Sequence, residues 1–96
     1  MSGVLIIASL RFKDIARYRI YEAQFPAVFA KFDGRVLAAD EQPQTLGGDA
    51  VDKVVVLHFP SEEAAHAFTG SAEYLEISKN RDAGADTTSW QIRAFI

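Results

Sequence analysis

The stretch Val54-Val55-Val56-Leu57-His58-Phe59, followed at once by Pro60-Ser61-Glu62-Glu63, limits what this chain can fold into more than any other. Four consecutive apolar residues, three of them β-branched, read as a strand covered on both faces. Pro60 then ends ladder pairing, Ser61 can cap the free amides of a helix, and the two glutamates sit at the positive end of its dipole. Such a strand, running straight into a helix, needs one layer above it and another below.

The chain supplies little material for those layers. Its 96 residues are enough for one domain with one core, so residues 1–96 are read as a single unit. With 49% hydrophobic and 24% charged residues it falls in the globular range rather than the disordered one. A net charge of -3, with lysines and arginines scattered, argues against nucleic acid or an anionic membrane as partner. The absence of cysteine removes disulfides, thiolate metal sites and a cysteine nucleophile, which fits a cytoplasmic protein. No apolar run approaches the roughly 20 residues of a membrane span, and Val4 to Ala8 lacks the flanks of a signal peptide. The chain is expected to be soluble.

Val4 to Leu10 is apolar on both alternating faces and reads as a first doubly covered strand. Asp14 caps a helix in which Tyr18, Tyr21, Phe25, Val28, Phe29 and Phe32 recur at three- and four-residue steps, a stripe facing the sheet. Ile20 falls on the opposite side. Pro26 predicts a bend or restart near Phe25, and Asp33-Gly34 ends the helix. Arg35 to Ala39 is a second strand, with Gln44-Thr45-Leu46 expected to resume it beyond a bulge and Gly47-Gly48-Asp49 to turn a hairpin into Val51 to Phe59. After Ser61 a short helix presents Ala64, Ala67 and Phe68 and stops at Thr69-Gly70. Ser71 caps another over Ala72 to Asp82, placing Tyr74, Ile77, Ser78 and Arg81 on one face; Gly84 breaks it. Thr87 to Ile96 is the last strand, with Trp90, Ile92, Ala94 and Ile96 on one side.

The order is β-α-β-β-α-β with a split second helix. It specifies an α+β fold, the ferredoxin-like plait: an antiparallel four-stranded sheet with helices on one face. Helices on one face leave the other bare, yet the first and third strands are apolar on both. A second copy is the economical cover, and two sheets face to face would bury at least about 1,600 Å². A homodimer through the sheet faces is therefore expected.

These residues resemble a known family, the small dimeric α+β barrels grouped as domain of unknown function 1330. The likeness spans nearly the whole chain. It rests on Tyr18 to Tyr21, Pro26-Ala27, Gly34-Arg35, Val54 to Leu57, Phe59-Pro60-Ser61, Glu63-Ala64-Ala65, Phe68, Ser71, Glu73-Tyr74 and Arg81. The chain departs from the family wording at His58, usually acidic, at Phe68-Thr69, usually Trp-Tyr, and at Ala72, usually proline. The resemblance implies a homodimeric ferredoxin-like barrel of no established activity. The wider superfamily includes cofactor-independent monooxygenases, haem-degrading enzymes and small isomerases that use the cleft between sheet and helices, a fold-level analogy.

Chemistry must come from residues, and few present themselves. His58 ends a buried strand, where it could be a general base, although a lone strand histidine is more often held by packing. His66 points away from the apolar side of its helix and reads as solvated. Two histidines without a third ligand at metal spacing predict no metal site, and no cofactor motif is present. Arg81, on an apolar helical face beside Tyr74, must snorkel, pair with a carboxylate from another element, or bind an anionic group. Asn80 is a further polar candidate, and Trp90 reads as core or dimer interface. Tyr18, Tyr21, Tyr74 and Arg81 are the ligand-binding candidates. The leading expectation is a small organic molecule held between the aromatic stripe and the sheet, with Tyr74 and Arg81 at the mouth. The alternatives are a cofactor-free monooxygenase or isomerase, in which His58 or a tyrosine moves a proton, and a non-catalytic assembly dimer.

Overall fold

A computed structural model describes residues 3–95. The elements are β1 (Val4–Phe12), α1 (Ile15–Phe29), β2 (Arg35–Asp40), β3 (Lys53–Phe59), α2 (Glu62–Thr69), α3 (Ala72–Gly84) and β4 (Ala85–Arg93). They form one antiparallel sheet in the order β2-β3-β1-β4, with the helices on one face. This is the α+β, ferredoxin-like arrangement read from the sequence. The two doubly apolar strands, β1 and β3, are the central pair, with Val4 opposite Phe59 and Leu10 opposite Lys53.

The caps form as the residue types require. Asp14 accepts from Arg17 N, Ser61 Oγ accepts from Ala64 N at 3.0 Å, and Ser71 Oγ accepts from Tyr74 N at 3.1 Å. Alternation then sorts the central strands. Val4, Leu10, Leu57 and Phe59 are buried beneath the helices, where Phe59 and Phe68 are the largest fully enclosed side chains. Leu5, Ile7, Val54 and Val56 point to the other face, joined in register by Trp90 and Ile92 of β4. Among the described residues no helix covers that second face, and Trp90 is 50% and Ile92 45% exposed.

Several local readings are corrected. α1 does not restart at Pro26: it is one helix to Phe29, in which Pro26 lacks the N–H that would donate to Glu22 O, while Ala30 N–H donates back to Pro26 O at 3.0 Å. β1 continues to Phe12, beyond the expected Leu10, and β3 starts at Lys53 rather than Val51. Gln44-Thr45-Leu46 does not resume β2. The bulge lies within β2, between Val36 and Ala38, and residues 41–52 form an irregular connection without a tight hairpin. That connection is held by Asp52, whose N–H donates to Leu10 O and whose Oδ2 accepts from Phe12 N, both at 2.8 Å. Gly48, at φ +85°, is the one left-handed residue there. α2 buries Ala65 and Phe68 instead of Ala64, Ala67 and Phe68. The Phe68 ring, 4.3 Å from Tyr74 and 5.6 Å from Phe59, sets the helix's rotation and turns Ala67 outward. α3 extends to Gly84, and β4 starts at once, at Ala85; Ile96 lies outside the described residues.

Candidate functional site

Between α1, α3 and the covered face of the sheet lies a cavity of about 530 Å³. Its floor is built from the alternate residues Ile6, Ala8 and Leu10 of β1 and Val55 and Leu57 of β3; Phe25 closes one side from α1. Ala8 puts a small side chain in that floor between the larger Ile6 and Leu10. Phe25, which lines the cavity, is half-buried; Val28 and Phe29, also half-buried, pack against the core around Phe59 and Phe68 instead. Val36 of β2 and Leu75 and Asp82 of α3, all exposed, mark where the cavity meets solvent.

The structure brings all four ligand-binding candidates to this wall: Tyr18 and Tyr21 from α1, Tyr74 and Arg81 from α3. They are linked. Arg81 Nη1 donates to Tyr74 Oη at 2.7 Å, and Tyr74 Oη lies 3.4 Å from Tyr21 Oη. The guanidinium also stands about 6 Å from both rings, at 6.0 Å from Tyr21 and 5.9 Å from Tyr74. Its carboxylate partner is Asp82, the next residue on its own helix, where a carboxylate from another element was expected; Nε and Nη2 reach one Asp82 oxygen at 3.1 and 3.0 Å. The adjacent helical positions leave only that one-oxygen geometry. Burial, and then the Tyr74 neighbour, push the Tyr21 hydroxyl's pKa well up, so it stays a protonated donor.

The sequence reading missed the other polar pole of the cavity. Lys53 is only 6% exposed, with its ammonium 2.8 Å from Glu22, 3.4 Å from Glu41 and 4.9 Å above the Tyr18 ring. Arg19 completes the group, donating to Glu22 at 2.9 Å and to Glu41 Oε1 at 2.7 Å. Burial, the largest single influence, disfavours the ammonium, but hydrogen bonding and charge attraction from Glu22 and Tyr18 together outweigh it, and the Lys53 pKa is raised. Glu22 is lowered in turn: burial opposes its charge, and Lys53 and Arg19 overcome that. The signal was available. Lys53 shares its strand face with Val55, Leu57 and Phe59, and Glu22 follows Tyr18 by one helical turn.

The remaining candidates lie elsewhere. His58 belongs to the uncovered face, between the core-facing Leu57 and Phe59, and does not line the cavity. Its Nε2 is buried against Gly3 without a hydrogen-bond partner among the described residues. His66 is exposed on α2, as read. Asn80 is a strut between helices, accepting from Arg17 Nη2 at 3.1 Å and donating to Gln24 Oε1 at 3.3 Å. Trp90 is not core; it stands on the uncovered face. Among the described residues, no three His, Cys, Asp or Glu side chains group closely enough to hold a metal ion, and no helix is long and apolar enough to cross a membrane.

Comparison with known proteins adds three findings. The family described as domain of unknown function DUF1330 matches residues 3–95. Among curated proteins, none matches. Solved structures share the fold at low identity. A protein of unknown function from Rhodopseudomonas palustris is 21% identical, with a TM-score of 0.79 over 97% of this chain and 81% of that one. A dimeric ferredoxin-like protein of unknown function from Thermobifida fusca is 15% identical, with a TM-score of 0.73 over 97% and 92%. SnoaB, a cofactor-independent oxygenase from Streptomyces nogalater, is 12% identical, with a TM-score of 0.70 over 100% and 96%.

Proposed function

The chain belongs to the DUF1330 family, and on that footing we propose that it is a cytoplasmic homodimer that binds a small organic molecule in the cavity between α1, α3 and the sheet. One observation carries this reading: the cavity of about 530 Å³ has an apolar floor and a few convergent polar groups, Tyr21, Tyr74 and Arg81, at one side. Those are the size and the chemistry of a small-molecule site. Dimerisation through the uncovered sheet face leaves this cavity untouched, because the two lie on opposite sides of β1 and β3. The dimeric state of the Thermobifida fusca neighbour supports self-association.

The test is a thermal-shift screen of the purified protein against small apolar metabolites, with Ala8→Leu as the filled-cavity control. A compound at 100 times its dissociation constant stabilises the wild type by about 2.7 kcal/mol. The control should lose that gain. No stabilising compound in the wild type, or an equal gain in the control, sinks the reading.

A second reading, an enzyme working without a cofactor as a monooxygenase or isomerase, is favoured by the hydrogen-bonded Tyr21, Tyr74 and Arg81 inside the cavity. The fold shared with a cofactor-independent oxygenase is consistent with it. Under this reading a tyrosine, which faces the cavity, moves the proton, and His58 does not. The third, a purely assembly role, would leave the cavity without an occupant.

A further inference from the structure

The hydrogen bonds around the cavity define what an occupant must carry, given the reading that a small organic molecule binds there. Both cations in the wall already have carboxylate partners, although Arg81 keeps one N–H on each of Nη1 and Nη2 without an acceptor among the described residues. Lys53 is shared by Glu22 and Glu41, at 2.8 and 3.4 Å. Arg81 uses Nε and Nη2 on Asp82 and Nη1 on Tyr74. The Glu22 oxygens are likewise divided, one to Arg19 and one to Lys53.

The two phenols are different. Tyr74 Oη accepts from Arg81, so its own hydrogen is directed elsewhere, and Tyr21 Oη lies 3.4 Å away. Each phenol carries one hydrogen, and only one hydrogen can lie between the two oxygens. At least one phenolic hydrogen therefore has no acceptor among the described residues. Accepting from a guanidinium polarises Tyr74 and strengthens the bond that it donates.

We propose that the cavity selects a neutral, largely apolar molecule bearing a ketone carbonyl, whose oxygen accepts the unmatched phenolic hydrogen of Tyr21 and Tyr74. A ketone adds an acceptor where a buried donor lacks one, and it breaks no bond. A hydrocarbon of the same shape leaves that donor dry and unpaired. A carboxylate would bring a negative charge that no free cation balances, because Arg81 is already paired with Asp82, and Lys53 and Arg19 with Glu22 and Glu41.

Isothermal titration of the full chain with 1-tetralone, tetralin and 1-naphthoate tests this. The wild type should bind 1-tetralone about tenfold more tightly than tetralin, and 1-naphthoate more weakly than 1-tetralone. Tyr21→Phe should keep that order, because Tyr74 then offers its hydrogen to the ligand. Tyr74→Phe releases Arg81 Nη1 and should shift preference toward 1-naphthoate. Tetralin binding as tightly as 1-tetralone, or 1-naphthoate binding tightest to the wild type, overturns the ketone assignment while leaving small-molecule binding standing. No binding of any of the three removes both. An unchanged preference in folded Tyr74→Phe also overturns it, and the wild-type comparison decides if that variant does not fold.

Discussion

The Arg19 guanidinium, bonded to Glu41, holds that carboxyl well below its ordinary value of 4.5, at about 2. Glu41 binds its proton more weakly folded than unfolded, so its contribution to stability is whole above about pH 4.5 and fades as the pH falls toward 2. Acid unfolding followed by circular dichroism should therefore show stability declining through that window. Glu41→Gln should flatten the decline, and an identical acid profile in the variant would refute the assignment. The same residue shows where reading single positions stops. Asp40-Glu41 looks like an ordinary turn, and only the path of the chain brings Glu41 to Arg19, 22 residues away, and to Lys53. Lys53 itself was legible by strand alternation; its partners were not, because a carboxylate's choice of cation is a tertiary matter.

Among the elements, the junction of α3 with β4 fixes the α1 end of the cavity wall. Gly84 O accepts from both Lys13 N and Asp14 N, at 2.9 and 3.0 Å, which seats the start of α1 directly on the end of α3. A Cβ on Gly84 would meet Tyr18 N and would come within 2.7 Å of Asp14 O, both backbone atoms that cannot swing aside. Gly84→Ala should cost about 1–3 kcal/mol in urea unfolding. It should also displace Tyr18 and weaken any cavity ligand; a variant as stable as the wild type would show that the two helices do not need this approach. The caps at Asp14, Ser61 and Ser71 were readable because a cap depends on neighbours in sequence. The phase of α2 was not, since Phe68 and the rings around it choose which alanine turns inward.

For the whole molecule, the uncovered sheet face is the dominant feature. Leu5, Ile7, Val54, Val56, Trp90 and Ile92 share it, and among the described residues no element lies over them. Burying such a face against a second copy is worth roughly 25 cal/mol per Å² of apolar surface before the cost of association. Light scattering at micromolar concentration should give twice the 10.6 kDa chain mass, and Trp90→Glu, which puts a charge into the proposed interface, should give the single mass. A monomeric wild type refutes the interface. The sequence by itself determined the element order, the helix caps, the aromatic stripe and the bareness of one sheet face. These follow from periodicities and neighbours that a linear chain displays. Tertiary structure alone decided that Tyr18, Tyr21 and Phe25 of the stripe line a cavity while Val28, Phe29 and Phe32 pack into the core, that Arg81 engages Tyr74 and Asp82, and that Lys53, Glu22, Glu41 and Arg19 meet. A cavity is a difference between packed volumes, and an ion network is a set of distances; neither exists until the layers close over Ala8.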